Sequence, residues 1–184
     1  GSDEVAQIAK YVDLMMAYQQ YEEELLRDSE QFKQIIINSA NYSIISTDTH
    51  GTITSFNKVA EQILGYSEAE MVGKMTPEVF HDKEEVIRRA GVLKKQFSMD
   101  IEPGFEVFVA RTRIGLPDLN DWTYIGKDGR RTPVRLSVTA IKNSDGEITG
   151  FLGVGQDISE QLEIENSLKL AKEVIEHAGE GIII

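Results

Sequence analysis

The chain has 184 residues, with 19 Lys and Arg against 31 Asp and Glu, a formal net charge of −12 and no cysteine. That length holds one domain of roughly 100–150 residues with its own core, plus flanking segments. The acid excess repels phosphate backbones and anionic lipid, so neither nucleic acid nor membrane contact is expected, and the missing thiol excludes a disulfide framework, a thiolate metal site, a cysteine nucleophile and a cysteinyl cofactor adduct.

In chain order, Val5, Ile8, Val12 and Met15 follow a 3-4-3 spacing before Leu25 and Leu26 resume. This predicts one long helix from Asp3 to about Ser29 with a narrow apolar seam. Such a seam suits a coiled coil and hence a homodimer through the terminal helices, with Gln19 and Glu22 interrupting the heptad. A helix folded onto its own domain is the alternative.

Three turn signals follow: Asp48-Thr49-His50-Gly51, Lys127-Asp128-Gly129 and Asn143-Ser144-Asp145-Gly146. They flank strand-like stretches at 43–47, 52–56, 122–125, 132–141 and 148–154. Residues 134–140 alternate strictly between apolar and polar or small side chains, which predicts one buried face and one wet face. Phe105, Val107 and Val109 alternate with Glu106, Phe108 and Ala110, so a further strand is expected there, making five or six.

Between the early and late strands the punctuation is helical. Asn57 caps a short helix bearing Val59, Ala60, Ile63 and Leu64, which Gly65 ends. Ser67-Glu68-Ala69-Glu70 forms a capping box before Met71 and Val72, with Gly73 closing it. Thr76-Pro77 places a cap and an N1 proline in sequence, and Asp82 starts a longer helix with Val86, Ile87, Ala90, Leu93 and Phe97 on one face. Two strands, small helices, one longer helix and then more strands describe an α+β fold, an antiparallel sheet with helices on one face. A closing helix follows, capped by Asp157 or Ser159, in which Ile158, Leu162, Leu168, Ala171 and Ile175 make an interrupted seam.

Candidate chemistry is sparse. His50 sits in a tight turn, His81 is expected in solvent just ahead of its cap, and His177 lacks the acidic residue and Arg expected after a phosphoacceptor histidine. Acidic runs such as Glu22-Glu23-Glu24 and Glu84-Glu85 read as solvated faces. Gly150, Gly153 and Gly155 fall inside a strand, where they serve close packing or a bulge and not a phosphate cradle. No catalytic constellation is visible, and the chain is not expected to be an enzyme.

A binding cavity is the sharper expectation. Phe105, Val107, Val109, Trp122, Tyr124, Leu136, Val138, Leu152 and Val154 are taken as inward, facing Ile63, Met71, Phe80, Ile87 and Leu93. Together they enclose an apolar space of the kind a small organic molecule occupies. The same residues equally describe a filled core with no room for a ligand.

The order and spacing of several motifs resemble a PAS (Per-Arnt-Sim) sensory domain over about residues 32–159. They are Asp48 through Gly51, Ile53, Phe56-Asn57, Ala60, Ile63, Gly65-Tyr66, Glu70, Gly73-Lys74, Trp122, Lys127-Asp128-Gly129, Pro133-Val134, Gly146, Ile148-Thr149-Gly150, Gly153 and Asp157-Ile158-Ser159. The resemblance implies a five-stranded antiparallel sheet with helices on one face at 32–158, between an N-terminal helix at 1–31 and a signalling linker helix at 159–177. It further implies a cytoplasmic, non-catalytic sensor in a bacterial signalling protein, with a histidine kinase or a cyclic-di-GMP enzyme as output. Asp157-Ile158-Ser159 occupies the place where the family couples sheet to output helix. Some members bind haem through a histidine on the longer helix, where this chain has none. A flavin–cysteine bond is excluded, and a noncovalent flavin stays open. A ligand-free dimerisation module within the same signalling protein is the alternative function.

Lys33–Ile45 aligns without gaps to Lys172–Ile184 at an offset of 172 − 33 = 139, pairing Lys33 with Lys172, Ile36 with Ile175, Ile44 with Ile183 and Ile45 with Ile184. Residues 178–184 are therefore expected to open a second PAS-like domain in a tandem array. Gly1-Ser2 reads as a tag-cleavage remnant, and the ending on Ile182-Ile183-Ile184 as the cut edge of a longer protein.

Overall fold

A computed structural model describes residues 2–39, 41–97 and 100–180. The chain divides into two units, 1–40 and 41–184. The first is the helix α1 (Ser2–Ser39), which runs ten residues past the C-terminal end that the seam predicted. Ile8, Val12, Met15, Leu25 and Leu26 are exposed on it.

The second unit is built on five strands: β1 (Tyr42–Thr47), β2 (Ile53–Phe56), β3 (Asp118–Ile125), β4 (Arg131–Lys142) and β5 (Ile148–Asp157). Every pairing is antiparallel, in the order β2-β1-β5-β4-β3. β4 shows the expected alternation, with Thr132, Val134, Leu136 and Val138 buried. The β1–β2 turn needs Gly51 twice over. Its φ is +94°, and a Cβ there would stand 2.6 Å from the Phe105 ring.

Helices cover one face of the sheet. In α2 (Lys58–Leu64) the Asn57 side chain accepts the Ala60 N–H at 3.0 Å, and Gly65 at φ +71° ends the helix. α3 (Glu68–Met71) opens with Glu70 reaching back to the Ser67 N–H at 2.9 Å. A 3₁₀ turn (Pro77–Phe80) leads to α4 (Lys83–Phe97). Asp82 starts α4 as expected, one carboxylate oxygen accepting the N–H groups of Glu84 and Glu85 at 2.8 and 3.1 Å. Val86, Ala90 and Leu93 are buried along it, whereas Ile87 is 58% exposed and points away. A 3-4 apolar stripe is narrower than the five residues assigned to it, and Ile87 falls off its edge.

The stretch expected as a further strand is the helix α5 (Glu106–Arg113). Its alternation misleads because the neighbours are buried too. Val107, Phe108, Val109 and Ala110 are consecutive core residues, which a strand with one wet face does not permit. The helix lies between α4 and the β3–β4 half of the sheet, with Thr112 Oγ1 donating to the Val138 carbonyl at 3.2 Å. Tertiary packing overrides the β preference of Val-Phe-Val.

α6 (Ser159–Glu180) leaves the sheet directly after β5. It is helical through residue 180, so 178–180 continue the linker helix, and 181–184 lie outside the described residues. No helix among the described residues is long and apolar enough to cross a membrane.

Candidate functional site: a polar-tipped core cavity and the strand-to-helix junction

The core forms two clusters. One gathers Val86, Ala90, Leu93, Val107, Phe108, Trp122, Leu136, Val138 and Phe151 under α4 and α5. The other gathers Ile45, Ile53, Phe56, Ala60, Leu64, Met71, Phe80, Tyr124 and Val134 under α2 and α3. Between them lies His81.

His81 was expected in solvent; it is 3% exposed. The segment after the 3₁₀ turn is laid along the edge of β3, which carries the ring inward. The His81 backbone bridges to Tyr124, and the Asp82 N–H donates to the Thr123 carbonyl at 3.2 Å. Glu85, expected on a solvated face, holds the same edge: its carboxylate accepts the Thr123 N–H at 2.7 Å and the Thr123 hydroxyl at 2.8 Å. Arg131 pairs with Asp82 and holds that carboxyl below the usual carboxylate range.

The imidazole is packed by Phe80 and Tyr124 from one cluster and Phe108 and Trp122 from the other, at centroid distances of 4.3–5.4 Å. Its Nδ1 lies 2.7 Å from the Pro77 carbonyl oxygen, which can only accept. Nδ1 therefore carries the hydrogen and Nε2 presents a lone pair. Nε2 is buried without a hydrogen-bond partner among the described residues, and so is Thr47 Oγ1. Burial pushes the His81 pKa down to about 4, so the ring is neutral at pH 7. Tyr124 is pushed up by burial, against a hydrogen bond with Ser43.

Both orphan atoms belong to residues lining one cavity of about 40 Å³. A water needs roughly 10–15 Å³ of such space, so about three waters fit. Pockets for drug-sized ligands run to about 300–1,000 Å³. The expected alternatives of a filled core and an organic pocket thus meet a core that is nearly filled. A haem or flavin has no room in this arrangement.

Of the expected lining, Phe80, Phe105, Tyr124, Leu136, Val138 and Val109 reach the cavity. Trp122, Val107 and Leu93 are buried in the cluster beside it, while Met71 and the partly buried Ile63 belong to the other. Ile87 is exposed. Leu152 and Val154, taken as inward, are half-buried on the other face, because the β5 register turns Phe151 and Gly153 toward the helices. A one-residue difference in parity exchanges the faces. Ile45, Thr47, Pro77, His81, Phe108, Phe151 and Gly153 were missed. Of these, Ile45 and Thr47 carried a signal, since they share the parity of Ser43 in β1.

β5 ends at Asp157 and α6 starts at Ser159, where the capping residues were expected. Asp157 is still paired with Val134 in the sheet, and its carboxylate accepts the Ser159 N–H at 2.9 Å. Between them Ile158 is 2% exposed and its N–H donates to the Pro133 carbonyl at 3.0 Å. The first turn of α6 is thereby fastened to β4 and β5. Beyond it Ile164, Leu168, Leu170, Val174 and Ile175 are exposed.

Residues 31–158 match the family model described as the PAS fold. The chain belongs to the PAS fold family. Its PAS domain is similar to the signal transduction histidine-protein kinase AtoS of Escherichia coli strain K12, at 27% identity over 149 residues. That match takes in 80% of this chain and 21% of AtoS, so the chain spans about a fifth of that relative. Among solved structures, the PAS domain of an HTR-like protein from Haloarcula marismortui is similar, at 21% identity and a TM-score of 0.52 over 76% of this chain and 99% of that one. An RNA-binding Light-Oxygen-Voltage receptor is similar at 14% identity and a TM-score of 0.58, over 78% of this chain and 37% of that one. Both are likenesses of fold. As a PAS domain akin to part of a histidine kinase, this is a sensory, signal-transduction module.

Proposed function

We propose that this PAS domain senses a very small ligand or a conformational strain and relays it, without catalysis, through α6 to a downstream output domain of a larger cytoplasmic protein. The observation that carries the reading is the continuity of β5 into α6. Asp157, Ile158 and Ser159 are all fastened to the sheet within three residues, so a shift of β5 moves the root of the helix. A bistable helix pair then converts that shift into a rotation or register change. A coupling of roughly 1–3 kcal/mol is enough to change populations several-fold or more. The similarity to AtoS favours a histidine kinase over a cyclic-di-GMP enzyme as the output. The self-similarity of 33–45 and 172–184 supports a tandem arrangement with a second PAS-like unit.

The test is Asp157→Ala in the parent protein. Output should no longer follow the stimulus, and unchanged regulation overturns the relay.

A second reading, a ligand-free dimerisation module, is favoured by the small cavity and by the exposed apolar side chains of α1 and α6. Denaturing mass spectrometry separates the two, since a released molecule supports sensing and a bare chain in repeated preparations supports the second. Light scattering at about 50 µM should show a dimer, and a monomer at that concentration removes the coiled-coil pairing.

A further inference from the structure

The exposed apolar side chains of α1 do not make one stripe. With 3.6 residues to the turn they fall, Met16 apart, into two stripes about 120° from each other. The first is the seam the sequence pointed to, Ile8, Val12 and Met15, and its next two positions are Gln19 and Glu22 before Leu26. Pairing two copies along it would bury Glu22 against its own counterpart, two like charges taken out of water. The second stripe is Tyr11, Leu14, Tyr18, Tyr21 and Leu25, a 3-4-3-4 spacing with no charged or amide side chain in it. It supplies successive a and d positions of a heptad, and each of the five residues is 60–67% exposed.

This second stripe carries the hole that helix pairing needs. A knob enters a hole made by four residues of the facing helix, at i, i+3, i+4 and i+7. Leu14, Ala17, Tyr18 and Tyr21 have that spacing, and all four border one shallow concavity on α1. The small Ala17 leaves space for a ring, and a tyrosine seated there keeps its hydroxyl at the wet edge of the seam.

We infer that α1 docks on α1 of a second copy, in parallel and in register, through Tyr11, Leu14, Tyr18, Tyr21 and Leu25, with Tyr18 as the knob that enters the Leu14-Ala17-Tyr18-Tyr21 hole of the other helix. This rests on the dimerisation reading above and names the face that carries it. Charge agrees with a parallel pair. The residues flanking the seam then meet as Lys10 with Met15, Ala17 with Glu22 and Glu24 with Ser29, so no like charges are brought together. The connection agrees too. α1 ends at Ser39 and β1 starts at Tyr42, so an antiparallel pair would send the two chains out at opposite ends, and the α6 helices of the two copies could not meet.

Because the chain has no cysteine, single cysteines report the seam without background. Tyr11→Cys, Leu14→Cys, Tyr18→Cys and Tyr21→Cys are compared with Val12→Cys, Met15→Cys and Gln19→Cys, in the full chain at about 50 µM under mild oxidation. Disulfide-linked dimer is read on non-reducing gels. The first four should cross-link about fivefold faster or more, because only on the paired face do Cβ atoms of two copies come near the roughly 3.5–4.5 Å that a disulfide spans. A second readout needs no cysteine. Tyr18→Glu and Val12→Glu place the same charge on one stripe or the other of a helix whose side chains there are exposed. By light scattering across a dilution series, Tyr18→Glu should raise the dissociation constant about tenfold or more, and Val12→Glu should leave it unchanged.

Faster cross-linking at Val12, Met15 and Gln19 overturns this seam and leaves the dimerisation reading standing. Equal rates all round the helix, or dissociation by Val12→Glu but not by Tyr18→Glu, overturn the seam in the same way. A parent chain that is monomeric at about 50 µM overturns both, and the stripe then belongs to the chain's own domain or to a different protein.

Discussion

Replacing His81 with Phe should remove much of the acid sensitivity of this fold. The ring is neutral in the folded chain because burial holds its pKa near 4, against 6.5 for an ordinary histidine. As the pH falls below 6.5 the unfolded chain takes up the proton first, so unfolding binds protons and stability drops until the folded pKa is reached. Relative to pH 7, that single group removes about 2 kcal/mol at pH 5 and about 3 kcal/mol at pH 4. The residues packed on the ring are Phe80, Phe108, Trp122 and Tyr124. None of them titrates in that window, so nothing nearby offsets the loss. The carboxylates held low, Asp48, Glu61, Glu70 and Asp82, contribute stability that is lost as the pH falls below their ordinary values and through their lower folded ones. They are present in both chains and cancel in a difference. Urea unfolding followed by circular dichroism at pH 7, 6 and 5 measures it, with the variant compared to the parent at each pH. The absolute stability of the variant is immaterial, since only the slope is read. Parallel pH profiles for the two chains would refute the burial and neutrality of His81.

Ile158→Ala should cost about 2–5 kcal/mol, because the side chain is 2% exposed where α6 meets the sheet. Ile87→Ala, at 58% exposure on α4, should stay within about 0.5 kcal/mol, and thermal melts of the pair compare them directly. In Gly155→Ala the new Cβ would stand 2.5 Å from Ser43 Oγ and 2.8 Å from Val134 Cγ1. A loss of about 1–3 kcal/mol by urea titration is expected, and a neutral result would mean that β5 is packed loosely against β1 and β4.

The features written into short stretches were legible before any fold. Asn57 and Gly65 bracket α2, Asp82 opens α4, Gly51, Gly129 and Gly146 turn the strands, and Asp157 starts α6, because a cap or a positive φ is satisfied by atoms a few residues away. The alternation of β4 belongs with them, since its period of two records which face is wet. The order of these signals was enough for the α+β layout and for the resemblance to the PAS fold that the family match establishes.

What depended on distant partners was not legible. α5 is helical because its Val107–Ala110 segment is enclosed on several sides by α4 and the sheet, and its alternating pattern is the same whether one side or all are covered. Leu152 and Phe151 differ by one step of register, which pairing with β1 and β4 sets. His81 is a polar residue in a polar-looking turn until the edge of β3 draws its backbone in and aromatic rings from both core clusters close over it. Local rules decide where this backbone turns and starts. Whether a side chain meets water or the core is decided by the elements that arrive from elsewhere in the chain, and at His81 that arrival buries a polar ring.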